Sequence, residues 1–204
     1  MVTVIVVGGP AGTGKTTQGQ LLSEYYHCPF IEGDALHPKA NIEKMSRGEP
    51  LTDEDRWGWL KTIALESSRK AYENPTRLCV VSCSILKKVY REYIEANCVH
   101  HEAVRFRFVF LYTTFEELIQ RVENRKGHYM KSEMVKSQYD IMEIPQGDEL
   151  LKNKGECVTV DTTNRTPREI FEEVVKYLRL PVEDRDKEPA TAEPTSAEPE
   201  ATMV

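Results

Sequence analysis

The chain has 204 residues, of which 40% are hydrophobic and 29% charged, and its net charge at pH 7 is −6. This is ordinary usage for a globular protein, and the length fits one domain with a remainder. The composition excludes a collagen-like repeat, a wholly disordered chain and a disulfide scaffold. Every apolar run falls short of the roughly 18 residues that a membrane-spanning helix needs, so we expect no membrane association.

The negative charge lies mostly at the C-terminal end of the chain. Residues 182–204 carry seven acidic and two basic side chains and few large apolar ones. Such a segment cannot bury enough surface to offset the entropy lost on ordering, so we expect a disordered acidic tail. The body, 1–181, is close to neutral and forms one predicted domain. A neutral body argues against nucleic-acid binding, which depends on phosphate neutralisation by basic side chains.

The cysteine content indicates the redox compartment. The five cysteines include no CxxC pair, and the apolar start of the chain lacks the basic residues and length of a secretory signal. An odd number of cysteines without an export signal is typical of reduced thiols in a cytosolic protein. The sequence therefore predicts a cytoplasmic location.

Apolar runs alternate with amphipathic stretches through the whole body. Strands are predicted over 2–7, 30–32, 78–83, 104–112 and 157–161. Helices are predicted over 15–26, 52–72, 86–96 and 116–124, and a last helix begins at Pro167. Short apolar strands separated by helices predict a three-layer α/β/α fold with a parallel sheet of about five strands. The segment 126–155 fits the alternation poorly and is interpreted as an insertion over the sheet edge.

The strongest motif follows the first predicted strand. Residues 9–16 read GPAGTGKT, which matches G-x-x-x-x-G-K-[ST] in full and leads into a predicted helix. In such a P-loop, successive backbone N–H groups point at phosphate oxygens and the helix adds its positive end. We expect Lys15 to reach the β- and γ-phosphates and the Thr16 hydroxyl to ligate Mg²⁺. The predicted nucleotide-binding residues of this loop are Gly9, Pro10, Ala11, Gly12, Thr13, Gly14, Lys15, Thr16 and Thr17.

Two other classes of P-loop protein are disfavoured. The chain has no NKxD element, by which GTPases recognise their base. The third strand runs into VVSCS (80–84), without the carboxylate that a motor ATPase carries at that position. The small size favours a kinase for a nucleoside or a metabolite.

Asp34 is the best candidate on the acceptor side of the reaction. It follows the second predicted strand, and the carboxyl ends of parallel strands line the ligand crevice. Asp34 is thus suited to accept a hydroxyl proton or to bond a metal-bound water, although a turn aspartate is the alternative. His37 is equally compatible with a functional and a loop-packing role. Asp53 and Asp55 fit helix capping after Thr52, so they rank behind Asp34.

Basic residues near the predicted strand ends suggest an anionic acceptor. Arg56 follows the turn at 48–51, and Lys87 and Arg91 are four residues apart after the third strand. Arg121 and Arg125 are also four apart and precede the insertion, which is typical of a lid that clamps nucleotide phosphates. Each of them could instead be a solvated surface charge.

Five segments of the body form long motifs. They are GPAGTGKTT (9–17), IEGDALHPKANIEKMSRGEPLTDEDRWGWL (31–60), VVSCSILKKVYREYI (80–94), RVENRKGHYMKSEMVKSQYDIMEIP (121–145) and VDTTNRTPREI (160–170). In these motifs, and over nearly the whole body, the chain resembles the gluconate kinases, a family of P-loop small-molecule kinases. The pattern GDxLHPxxNxxKMxxGxPLxDxDRxxWL is long and specific to that family, whereas shikimate kinases share only the loop and the fold.

The resemblance implies ATP-dependent, Mg²⁺-assisted phosphorylation of D-gluconate on its 6-hydroxyl, which would feed the pentose phosphate pathway. Lys15 and Asp34 would be the catalytic residues. The residues implied to contact the sugar acid are Asp34, His37, Arg56, Lys87, Arg91 and His128. Arg121 and Arg125 would contact the nucleotide from a lid at about 121–145. The resemblance also implies a homodimer.

Two alternatives stay open at the level of the sequence. One is a P-loop kinase for a different small acceptor, such as another sugar acid or shikimate. The other is a nucleotide-gated binding protein that has lost catalysis, against which the presence of Lys15, Thr16 and Asp34 argues.

Overall fold

A computed structural model of the chain describes residues 1–98, 103–124 and 132–181. The strands within these ranges are β1 (Val2–Gly8), β2 (Phe30–Glu32), β3 (Leu78–Ser82), β4 (Val104–Tyr112) and β5 (Cys157–Asp161). The helices are α1 (Lys15–Tyr25), α2 (Lys39–Ser46), α3 (Asp53–Glu73), α4 (Lys88–Ala96), α5 (Phe115–Glu123), α6 (Ser132–Asp140) and α7 (Pro167–Leu178). The predicted strands and helices are confirmed with small shifts at their ends, whereas α2 and α6 were not predicted. None of the helices in this part of the chain is long and apolar enough to cross a membrane.

The five strands form one parallel sheet in the order β2-β3-β1-β4-β5. β1 lies at the centre, paired with β3 on one side and β4 on the other. After β1, the chain therefore forms β2 and β3 on one side of β1 and then β4 and β5 on the other side. In a sheet of this type the loops at the carboxyl ends of the strands, next to this change of direction, form the ligand crevice.

The side chains of β1 alternate between two cores. Val4 and Val6 pack on one face with apolar residues of α3 and α4. Ile5 and Val7 pack on the other face with residues of α1 and α7. All four side chains are fully buried, because helices cover both faces of the sheet. This confirms the predicted three-layer α/β/α fold.

Helix α6 lies against α5, where Leu118, Val122 and Val135 form a small separate cluster. The predicted lid at 121–145 therefore includes the end of α5 and the whole of α6. Its residues 125–131, with Arg125 and His128, lie outside the described residues. The predicted tail at 182–204 lies outside them as well.

Candidate active site

The P-loop connects β1 to α1 and requires glycine at specific positions. Gly9 has φ +128° and Gly14 has φ +90°, a region of backbone conformation that favours glycine. At Gly9 a Cβ atom would also collide with the carbonyl oxygen of Leu111. The hydroxyl of Thr13 and the ammonium of Lys15 donate to the Pro10 carbonyl at 2.8 and 3.0 Å, so the loop curls around its own backbone. Helix α1 begins at Lys15, directly after this loop, and the positive N-terminal end of a helix is suited to hold an anion.

A carboxylate that the sequence patterns did not single out lies beside the P-loop. The Thr16 hydroxyl donates to Glu32 Oε2 at 2.7 Å, and the Ser82 hydroxyl donates to the other oxygen of the same carboxylate. Glu32 is the last residue of β2, so it lies at the carboxyl edge of the sheet. A hydroxyl and a carboxylate next to a phosphate site are hard oxygen ligands of the kind that Mg²⁺ prefers. The residues present therefore fit a magnesium ion.

Five of the predicted site residues line one cavity next to the P-loop. These are Ala11, Lys15, Asp34, His37 and Arg56. The cavity is also bounded by Ser84 after β3 and by Met134, Ser137 and Gln138 of α6. Its volume of about 60 Å³ has room for roughly two water molecules. This is well below the roughly 300–1,000 Å³ that is usual for a small-molecule site.

Asp34 lies on a rigid turn directly after β2. The turn, Gly33–Leu36, is a single stretch of 3-10 helix. Its first residue, Gly33, donates its N–H to Ser82 Oγ at 3.0 Å and accepts from the indole N–H of Trp59 at 2.8 Å. The Asp34 carboxylate projects from this anchored turn and is 73% exposed. It is thus accessible to a substrate while its backbone is fixed.

His37 is held against the same tryptophan. Its ring stacks on Trp59 at a centroid distance of 4.0 Å, and only 4% of its side chain is exposed. Nε2 of His37 lies 4.0 Å from Asp34 Oδ1, beyond hydrogen-bond distance. Burial, assisted by the positive charge of Arg56, lowers the pKa of His37 to about 4 in spite of the nearby Asp34 carboxylate. The ring is therefore neutral at physiological pH.

The guanidinium of Arg56 is buried and makes only long hydrogen bonds. The residue is 6% exposed, and its terminal nitrogens contact Ser84 Oγ at 3.4 Å and the Leu51 carbonyl at 3.5 Å, both long hydrogen bonds. Its Nε has no hydrogen-bond partner among the described residues. An unsatisfied buried cation is costly, so this guanidinium is suited to receive an anion that enters the cavity.

Lys87 and Arg91 are four residues apart within the helix predicted over 86–96, but their side chains contact different parts of the protein. α4 begins only at Lys88, and Lys87 precedes it in an extended conformation, so the two side chains do not share a helix face. Lys87 binds both oxygens of Asp53 at 2.8 Å and lies over the Tyr90 ring, which Arg56 also contacts. It therefore lies near the rim of the cavity and does not line it.

Arg91 is buried in an interaction with a distant segment. It pairs with Glu149 at 2.6 Å and donates to the carbonyls of Ile85 and Glu143 at 3.2 Å. These contacts fasten the chain after α6 to α4. The structure thus places Arg91 in contact with the segments around α4 and does not bring it to the lining of the cavity that contains Asp34.

The two aspartates at the start of α3 differ in their contacts. Asp55 completes a reciprocal capping box with Thr52 and pairs with Lys44 of α2 at 2.6 Å. The Lys44 hydrogen bond, with those from Thr52, lowers the pKa of Asp55 to about 2. The capping role predicted for Asp55 is confirmed. Asp53 instead binds Lys87 and the Tyr90 hydroxyl, which lower the pKa of its carboxyl.

A second cavity lies on the other side of the P-loop. It has a volume of about 420 Å³ and is lined by residues of the loop, by Arg121 and by the segment that leads into α7. Arg121 donates to the Thr162 carbonyl at 2.6 Å and to the Gly12 carbonyl at 3.4 Å, and it pairs with Glu117. This guanidinium therefore borders the space next to the phosphate loop. The size of the cavity falls within the usual range for small-molecule sites.

Helix α6 contacts the P-loop through the side chain of Gln138. Ala11 donates its backbone N–H to Gln138 Oε1 at 2.8 Å. This amide belongs to the loop that is expected to receive the phosphates, so a phosphate oxygen and the Gln138 side chain compete for it. Gln138 is a further residue that no sequence pattern singled out.

A larger cavity, of about 590 Å³, lies at the opposite end of the sheet. Its lining comes from Leu150–Lys152, from Val158 and Thr159 in β5 and from the end of α7. Although it is larger, this cavity is a weaker candidate for the active site, because it is remote from the P-loop and from Asp34.

The chain matches known kinases over most of its length. A family model described as "Shikimate kinase" matches residues 11–179. The probable gluconokinase of Saccharomyces cerevisiae is 42% identical over 184 residues, which cover 88% of this chain and 92% of that protein. The gluconokinase of Gluconobacter oxydans is 37% identical over 178 residues, covering 86% and 90% respectively. The crystal structure of a gluconokinase from Sinorhizobium meliloti 1021 matches with a TM-score of 0.72 and 38% identity, over 87% of this chain and 91% of that one.

A phosphate loop that faces an acceptor cavity at the carboxyl edge of a parallel sheet defines a P-loop small-molecule kinase, and the match to the family model agrees with this class. Identities of 42% and 37% over most of both chains narrow the class further. The chain belongs to the gluconokinase family.

Proposed function

We propose that this protein transfers the γ-phosphoryl group of ATP to the 6-hydroxyl of D-gluconate and releases 6-phospho-D-gluconate and ADP. The observation that carries the proposal is Arg56. Within the described part of the chain, its buried guanidinium has an unsatisfied Nε and long contacts in the cavity that also contains Asp34 and Lys15. A substrate carboxylate would satisfy it through charge-assisted hydrogen bonds, while the hydroxyl at the other end of the substrate faces the phosphate loop. A gluconate carboxylate and its 6-hydroxyl meet this requirement.

The P-loop and Lys15 bind the nucleotide, and Asp34 takes up the proton that the reaction releases. The P-loop N–H groups and Lys15 hold the triphosphate and neutralise the charge that develops on the transferred group. Asp34 accepts the proton of the substrate hydroxyl as the hydroxyl oxygen forms its bond to the γ-phosphorus. The bond between that phosphorus and the β–γ bridging oxygen breaks, and ADP leaves with the bond electrons.

Thr16 and Glu32 would hold the magnesium ion, since their oxygens already lie 2.7 Å apart beside the P-loop. When bound, Mg²⁺ supplies neutralisation of the phosphate charges. Arg121 would support the nucleotide from the second cavity, and Arg125 and His128 would add contacts from the lid.

An acceptor panel tests the substrate assignment. Purified protein is given ATP and Mg²⁺ with D-gluconate, idonate, glucose or shikimate, and ADP release is followed by a coupled assay. We expect turnover with gluconate and none with glucose, which lacks the carboxylate. Lys15→Ala should lower kcat by roughly 10²- to 10³-fold and serves as the blank for contaminating kinases. A preference for idonate or shikimate over gluconate would mean that the acceptor is an acid other than gluconate.

Arg56→Met tests how the acid is recognised. The loss of a charge-assisted contact should raise KM for gluconate by roughly 10- to 100-fold and leave KM for ATP nearly unchanged. Arg69→Met is the matched control, because Arg69 lies on the same helix and pairs with Glu66 and Glu73 on its surface. An unchanged KM for gluconate in Arg56→Met would contradict the assignment.

We further propose a cytoplasmic homodimer whose product enters the pentose phosphate pathway. The support is the resemblance to gluconate kinases and the membership of that family. Light scattering of the purified protein tests the dimer, and fractionation of the source cells tests the location.

A further inference from the structure

Asn41 connects the helix after the Asp34 turn to the histidine of the cavity. It is 4% exposed, and its Nδ2 lies 2.7 Å from the Asp55 carbonyl oxygen and 3.3 Å from Nδ1 of His37. A carbonyl oxygen can only accept a hydrogen bond, so the atom next to Asp55 must be the amide nitrogen. The orientation of the amide is thereby settled without reference to the histidine.

The same nitrogen then determines the state of His37. It carries two hydrogens, of which one goes to Asp55 and the other faces Nδ1 of the ring. Nδ1 must therefore be the accepting nitrogen, and in the neutral ring the single proton lies on Nε2. If Nδ1 were protonated, two buried N–H groups would face each other, and both would lose their partner.

The ring is fixed in space as well as in its tautomer. Trp59 stacks on it at 4.0 Å with an interplanar angle of 14°, and the indole is itself bound to Gly33. Nε2 consequently faces Asp34 from 4.0 Å, a gap that a substrate oxygen or a water can bridge. The two groups together present one donor and one acceptor to the cavity.

We propose that Asn41 is a positioning residue that holds His37 as the Nε2–H tautomer, so that His37 donates to the acceptor hydroxyl while Asp34 takes the proton of that hydroxyl. With the other tautomer, Nε2 would be a second acceptor and would compete with Asp34 for the same proton. The inference rests on the proposed kinase function, and it adds to that function a residue which does not line the acceptor cavity. Burial keeps the ring neutral, because it lowers the pKa of His37 to about 4.

A spectroscopic experiment tests the tautomer in the free protein. Long-range ¹H–¹⁵N correlation spectra of protein labelled at histidine distinguish protonated from unprotonated ring nitrogens, and comparison with His37→Gln assigns the signals. We expect a protonated Nε2 and an unprotonated Nδ1 in the wild type. In Asn41→Asp, whose carboxylate can accept a hydrogen bond from Nδ1, we expect a protonated Nδ1 and an unprotonated Nε2. A wild-type ring protonated on Nδ1 would overturn the inference even if gluconate is the substrate.

A double-mutant cycle tests the link to the reaction. Asn41→Leu, which has nearly the same shape as Asn, should lower kcat about tenfold with little change in KM for ATP. In His37→Gln, the glutamine amide nitrogen donates a hydrogen bond whether or not Asn41 is present. Adding Asn41→Leu to His37→Gln should therefore cost little further activity. An undiminished loss in that background would mean that Asn41 acts through the fold alone. Asn41→Asp supplies the same comparison if the leucine variant does not fold.

Lys44→Met is the matched control for stability. Lys44 also joins α2 to Asp55, at 2.6 Å, but it does not contact His37. We expect it to lower the thermal midpoint and to leave kcat within about twofold of the wild type, as for a surface substitution away from the site. A wild type that fails to phosphorylate gluconate would refute the proposed function and leave the tautomer measurement valid.

Discussion

Acidification should destabilise this protein through His37. The pKa of a histidine in an unfolded chain is about 6.5, whereas burial lowers the pKa of His37 to about 4. Between these values the unfolded chain binds a proton that the folded protein does not, so the destabilisation is absent above about pH 6.5 and grows as the pH falls. Near pH 5 it amounts to about 2 kcal/mol of lost unfolding free energy. This is a large part of the stability of a typical domain.

The assay is urea unfolding of the wild type and of His37→Gln, each near neutral pH and near pH 5. Glutamine cannot be protonated, so the variant should lose about 2 kcal/mol less than the wild type over this interval. The comparison of two differences removes the contributions of the other titrating groups, which the two proteins share. Equal losses in both proteins would show that His37 titrates alike in the folded and unfolded states, and the reasoning from burial would be wrong.

Three further outcomes follow from the site. Asp34→Asn should lower kcat by roughly 10²- to 10⁴-fold in steady-state kinetics, whereas Asp55→Asn should mainly lower the thermal midpoint. Loss of activity in Asp55→Asn, with Asp34→Asn still active, would mean that Asp55 is the catalytic carboxylate. Glu32→Gln should raise the Mg²⁺ concentration for half-maximal activity by roughly 10- to 100-fold, and an unaltered Mg²⁺ titration would remove Glu32 from the metal site. Deletion of 182–204 should leave the thermal midpoint and gluconate phosphorylation nearly unchanged, and a midpoint lowered by several degrees would show that the tail docks on the body.

The strands of this fold could be predicted because each leaves a simple pattern. β1 and β3 are short apolar runs buried on both faces, and runs of this kind are typical of the inner strands of a parallel sheet. Helix α2 left no such pattern. Its one fully buried residue is Asn41, so the side that faces the protein is polar and the apolar periodicity of a helix is missing.

The sequence predicts the local parts of the candidate site and misses the parts that depend on distant contacts. A motif and a strand end predict that the P-loop and Asp34 lie at the carboxyl edge of the sheet, where the structure also has them, while their roles stay predictions. Glu32 carries a signal of the same kind, a carboxylate at the last position of a strand. Gln138 reaches Ala11 across 127 residues of sequence, and Arg91 reaches Glu149 across 58, and no spacing rule predicts such pairs.

The stacking of Trp59 on His37 gives this protein a built-in optical probe. The chain has two tryptophans, and both border the acceptor side: Trp59 through His37 and the Asp34 turn, and Trp57 through Tyr90, which Arg56 contacts. If the acid binds Arg56 and hydrogen-bonds to His37 as proposed, it should change the polarity around both indoles. We therefore expect acceptor affinity to be measurable by intrinsic fluorescence without a label, and also in variants that have lost catalysis.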